Sequence, residues 1–128
     1  MIKNSSILEV NKKNFINNYN FFKKLKKDII VAPTIKANAY GLGVKKIFNL
    51  LVKNKCKHFF VATLEEGLEI NNKNKNIYIY ILNGLQNYKI EKFSDNNLIP
   101  IINSISELKK VYKSNIVYGL HIDTGINR

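Results

Sequence analysis

Thr34-Ile35-Lys36-Ala37-Asn38-Ala39-Tyr40-Gly41-Leu42-Gly43 is separated by Pro33 alone from the apolar run Ile29-Ile30-Val31-Ala32. It therefore sits where a buried strand ends and a loop begins. In α/β folds, ligands bind at that end of the strands. A lysine here stands out, because its ammonium ordinarily projects into water. In an enclosed site a lysine amine loses solvation and becomes a nucleophile towards carbonyls, the chemistry of Schiff-base formation. Gly41 and Gly43 let backbone approach a bound group, and Tyr40, four residues after Lys36, has a hydroxyl to offer a phosphate. Taken alone, one lysine among 21 Lys+Arg, a tyrosine and two glycines describe an ordinary strand-to-helix turn equally well.

Working outward, four more apolar runs recur: His58–Ala62, Ile77–Leu82, Leu98–Ile102 and Ile116–Ile122. They lack polar alternation, as expected of strands covered on both faces in a parallel sheet. Between them lie helical patterns. Residues 11–27 place Phe15, Tyr19, Phe22 and Leu25 on one face, and residues 44–54 do the same with Val44, Ile47, Phe48 and Leu51. Thr63 with Glu66 and Ser104 with Glu107 have the S/T-x-x-E spacing that satisfies free backbone N–H groups at a helix start. A further short helix is expected within residues 86–93, and Ile7–Val10 as a separate strand packed elsewhere. Repeated βα units give either a doubly wound open sheet or a (β/α)8 barrel, and periodicity alone leaves that choice open.

The 128 residues, 45% hydrophobic, suffice for one core. The net charge of +12 raises the question of nucleic acid, but lysine pairs such as Lys12-Lys13, Lys45-Lys46 and Lys109-Lys110 are dispersed over every helical stretch. We expect no nucleic-acid partner, beyond weak attraction to acidic surfaces. No run of eighteen apolar residues occurs, so no membrane span is expected, and the start of the chain has no apolar signal region; we expect a cytoplasmic protein. Cys56 is the single cysteine and has neither a disulfide partner nor metal-ligand spacing around it. No metal site is expected.

The complete string Lys-Ala-Asn-Ala-Tyr-Gly-x-Gly resembles the cofactor-lysine signature of the PLP-dependent alanine racemases, fold-type III. Phe60-Val61-Ala62-Thr63-Leu64-Glu65-Glu66-Gly67 is similar to the family's second strand and helix start. Ile81–Gly84, Pro100–Ser104 and His121-Ile122-Asp123-Thr124-Gly125-Ile126-Asn127-Arg128 also resemble family segments. The resemblance implies a partial (β/α)8 TIM barrel, about the first five βα units, spanning residues 1–128, with a C-terminal β-domain absent and Ile7–Val10 belonging with it.

By the same resemblance, pyridoxal 5'-phosphate is held as a Schiff base on Lys36, which also removes the α-proton on one face of the substrate. Tyr40 matches the tyrosine that bonds the cofactor phosphate, and Arg128 the arginine that meets the substrate carboxylate. The implied activity is interconversion of L- and D-alanine for peptidoglycan, in a homodimer whose second subunit supplies the opposite base. Other cofactor contacts lie later in the family's sequence, so the 128-residue piece is expected to be inactive alone.

The chain departs from the family pattern twice. Leu42 replaces a histidine between the two glycines, and His121 stands where some members have a carbamylated lysine. We read His121 and His58 as structural, and Asp123 as a loop cap. A racemase of another amino acid and a PLP-binding barrel without racemase activity remain alternatives.

Overall fold

The structure, a computed structural model, describes residues 6–71 and 74–125. The chain runs α1 (Lys12–Lys24), α2 (Lys36–Tyr40), α3 (Val44–Lys53), β1 (His58–Val61), α4 (Leu64–Ile70), β2 (Tyr78–Ile81), α5 (Glu91–Ser94), β3 (Leu98–Ile102), α6 (Ile105–Val111) and β4 (Gly119–Leu120). The four strands form one parallel sheet in the order β1-β2-β3-β4. Each crossover steps one strand in the same direction. A doubly wound sheet would reverse direction at a switch point, so this winding is that of a barrel.

A fifth parallel segment borders β1. Thr34 bridges Phe60, with Ile35 N–H donating to Phe60 O at 2.8 Å and Phe60 N–H to Pro33 O at 3.0 Å. The first strand is therefore displaced from the expected residues 29–32 to residues 33–35. Ile29 and Ile30 are exposed, because Asp28 turns the chain at φ 64° just before them and only from Val31 does it meet the core.

At the other border the expected strand 116–122 shortens to Gly119–Leu120, continued by His121 N–H to Ile102 O at 3.0 Å. β4 is paired on one side only among the described residues, and Val117 and Ile122 are exposed. Residues 86–93 do not form the expected helix. Gln86 has φ 50°, which a right-handed helix excludes, and only the single turn α5 follows. Ile7–Val10 joins no sheet, and Ile7 and Leu8 are exposed.

Helix starts follow the sequence closely. Asn11 caps α1 by accepting from Asn14 N, Thr63 caps α4 by accepting from Glu66 N, and Ser104 caps α6 by accepting from Glu107 N. The core lies between the helices and one face of the sheet, where Phe59, Val61, Ile79 and Ile81 meet Phe48, Leu51, Leu64 and Phe93. The Phe48 and Phe59 rings lie 4.8 Å apart, an aromatic pair that adds about 1 kcal/mol beyond its buried area. On the other face His58 stacks on Tyr78 with centroids 4.8 Å apart, and Phe60 stacks on Tyr80 at the same distance. In a closed barrel that face points inward. Of the face expected for α1, Phe15 and Tyr19 reach the core, while Phe22 and Leu25 stay exposed.

Candidate active site

Every strand ends on the same side of the sheet, so the loops that follow them share one rim. These loops begin at Lys36, Ala62, Leu82, Asn103 and His121. Lys36 comes directly after the first strand, and its backbone is held on both sides: Ile35 N–H donates to Phe60 O, and Ala37 N–H donates to Glu66 Oε1 at 2.8 Å. Its side chain is half-buried, and no side chain among the described residues pairs with its amine.

α2 is wound left-handed. Ala37, Asn38, Ala39 and Tyr40 have φ of 49°, 55°, 55° and 53°, and Gly41 follows at 84°. Asparagine and glycine tolerate this region, whereas alanine and tyrosine rarely enter it. The turn is closed by Ala39 N–H to Ile35 O, Gly41 N–H to Ala37 O and Gly43 N–H to Asn38 O, each 3.0 Å. Asn38 adds a side-chain bond, with Oδ1 accepting Val44 N–H at 2.8 Å where the cap residue of α3, Gly43, has no side chain to offer.

Gly41 and Gly43 have positive φ, and a Cβ built on either meets nothing within 4 Å. The conformation of the chain is what calls for glycine at both positions.

The neighbouring loops are tied down by glutamates. Glu66 Oε2 accepts Ala62 N–H at 2.7 Å while Oε1 reaches Ala37. Glu107 repeats the arrangement one loop further on: Oε2 accepts Asn103 N–H at 3.0 Å, and Oε1 accepts Leu85 N–H at 2.7 Å and Gln86 N–H at 3.2 Å. At the rim's far end Asn103 Nδ2 donates to Leu82 O and Ile101 O, both at 2.8 Å. Its two protons are thereby used, so Oδ1 faces His121 Nδ1 at 3.0 Å and that nitrogen must be the donor. Asp123 Oδ1 accepts Gly125 N–H at 2.9 Å, in keeping with a loop cap.

Of the residues singled out from sequence, the structure brings Lys36 and Tyr40 into one turn. Tyr40 is 63% exposed and Lys36 half-buried, so the turn is an open rim rather than the enclosed cavity expected. Arg128 lies outside the described residues. The spacing of Thr63 and Glu66 pointed to the helix cap but not to the reach of Glu66 across to Ala37. Nothing in the sequence pattern pointed to Asn38 or Asn103.

Residues 10–128 match the family described as alanine racemase, N-terminal domain. The chain belongs to the alanine racemase family. It is 36% identical over 128 residues to the alanine racemase of Rickettsia prowazekii (strain Madrid E), covering 94% of this chain and 32% of that protein. Among solved structures it is similar to alanine racemase from Bartonella henselae with covalently bound pyridoxal phosphate, at 32% identity and TM-score 0.73, covering 78% of this chain and 28% of that one. It shares its fold with alanine racemase from Oenococcus oeni at 22% identity and TM-score 0.77, over 94% of this chain and 36% of that one. The sheet is thus the N-terminal portion of the barrel in those structures. The chain spans about a third of the length of the relatives it matches.

Proposed function

We propose that this chain is the lysine-bearing part of a cytoplasmic, PLP-dependent alanine racemase, acting as a homodimer. The observation that carries this reading is Lys36, a half-buried residue whose amine has no side-chain partner among the described residues, at the strand end that opens the rim. The residues present suit pyridoxal 5'-phosphate by their chemistry. A primary amine stands where an aldehyde can be held covalently, and a phenol hydroxyl stands four residues on for a phosphate oxygen. Support also comes from the Bartonella henselae relative, which holds pyridoxal phosphate covalently.

Lys36 would hold the cofactor through its amine, and Tyr40 would donate its hydroxyl to the phosphate. When bound, pyridoxal 5'-phosphate supplies an electron sink that acidifies the proton on the substrate's α-carbon. The amine of Lys36 would remove the proton from one face in one direction of the reaction and deliver one to that face in the other, the opposite face being served by a base of the second subunit. Arg128 would face the substrate carboxylate with its planar guanidinium. Supply of D-alanine for peptidoglycan belongs to the same proposal.

The test is to add pyridoxal 5'-phosphate, reduce with borohydride and map the modified residue. Label concentrated on Lys36 is expected; label scattered in proportion to lysine exposure would remove the assignment. Turnover assays on the longer protein with alanine and other amino acids would fix the substrate.

A further inference from the structure

We propose that Glu66 is the positioning residue for Lys36, fixing the peptide that leads from Lys36 into the left-handed turn. This rests on Lys36 being the lysine that binds the cofactor. Glu66 Oε2 accepts Ala62 N–H, in the residue just before the cap of α4, Thr63. Its other oxygen reaches back 29 residues to Ala37 N–H at 2.8 Å. That N–H belongs to the peptide that follows Lys36, at the point where the chain passes from strand into positive φ. The bond fixes the plane of the peptide between Lys36 and Ala37, and with it the backbone from which the Lys36 side chain projects. With Ile35 N–H held by Phe60 O on the preceding side, the backbone around Lys36 is fixed to the β1–α4 unit at two points. The amine is then presented to an aldehyde with its backbone already in place.

Glu107 supplies an internal control. It makes the same kind of clamp between its own helix start and the preceding loop, but the loop it grips is Leu85-Gln86, which has no lysine to position. Glutamine has one acceptor oxygen, and its amide N–H2 would face one of the two N–H groups. E66Q and E107Q therefore remove equivalent contacts in neighbouring units.

The experiment is borohydride trapping of pyridoxal 5'-phosphate on the whole chain, with peptide mapping, for wild type, E66Q and E107Q. Far-UV circular dichroism and thermal melts report folding in parallel. The readout is the preference for label at Lys36 over the surface lysines, followed across pH. We expect E66Q to lower that preference about tenfold, from the loss of one charge-assisted bond, and to alter its pH profile. E107Q should leave both as in wild type. Wild-type preference retained in E66Q, or lost equally in E107Q, overturns the positioning role while leaving the Lys36 assignment standing. Label scattered in the wild type itself overturns the assignment and the proposal with it. Should E66Q fail to fold, E66D serves: it keeps the charge but is one methylene short of spanning both N–H groups. It should show the same loss, and full preference in E66D overturns the proposal.

Discussion

Replacing Asn38 should separate the two costs that the left-handed turn has to meet. Its Oδ1 accepts Val44 N–H, the first amide of α3, and its backbone sits at φ 55°. Alanine removes the acceptor, which for a helix cap costs about 1 kcal/mol. A fully buried orphan N–H would cost up to about 3 kcal/mol. Here a shallow cavity of about 280 Å³, lined by Asn38, Gly41, Gly43 and Val44 among others, lets water reach the freed amide, and the lower figure applies. Alanine also tolerates positive φ less well than asparagine, which adds about 1 kcal/mol. N38A should therefore lose about 2 kcal/mol in all.

Glycine loses the acceptor but not the conformation, so N38G should lose about 1 kcal/mol, and N38D should match or slightly exceed wild type, because a carboxylate there favours the start of α3. At this chain length about 1 kcal/mol moves Tm by roughly 3–5 °C, so N38A should melt roughly 6–10 °C below wild type. The assay is thermal unfolding followed by circular dichroism across the series. N38A melting with N38D, or above N38G, would refute both the cap and the conformational argument.

Three further outcomes follow from the same structure. G67A should destabilise by about 1 kcal/mol in urea titrations: a Cβ at Gly67 would lie 2.7 Å from Ile81 Cδ1 and 3.3 Å from Leu98 Cδ1, and overpacking outweighs the helix propensity alanine gains. Burial, with Lys57 beside it, holds the His58 imidazole below its usual range. The unfolded chain then binds the proton more readily than the fold, so stability should be complete above about pH 6.5 and fall as pH drops through the window below it. H58F should flatten that slope in pH-dependent melts. Burial pushes the Cys56 thiol up, so a thiol reagent should modify the native chain only through opening and react at once in urea.

The helix starts at Thr63 and Ser104 were legible in the sequence because a cap is a local device acting within three residues of itself; the cap at Asn11 works the same way but was not singled out. The inner strands β1, β2 and β3 were legible because continuous apolar runs need cover on both faces. The border strands were not. Ile29 and Ile30 are as apolar as Ile79 and Ile81, yet only pairing and packing from neighbours decide which apolar residues become buried strand. The turn at Lys36 was placed correctly, but the side-chain contacts that tie it down lie 6 and 29 residues away, at Val44 and Glu66, which no local pattern encodes.

The hand of that turn is what joins the fold to the proposed chemistry. Four non-glycine residues at positive φ cost on the order of 4–8 kcal/mol, and no packing gain explains Tyr40, which is exposed. The offset comes from hydrogen bonds: Leu42 N–H to Ala39 O beside the three that close the turn, one from Asn38 to α3 and one from Glu66 to Ala37, about 6 kcal/mol at roughly 1 kcal/mol each. Lys36 and Tyr40 stand at the two ends of this one turn at the rim. A relaxed right-handed turn would re-aim the Asn38 side chain and break its contact to Val44, leaving the loop that carries the phenol free to move. Strain that persists only because two neighbouring elements grip it is the expected signature of a site whose geometry matters more than its own stability.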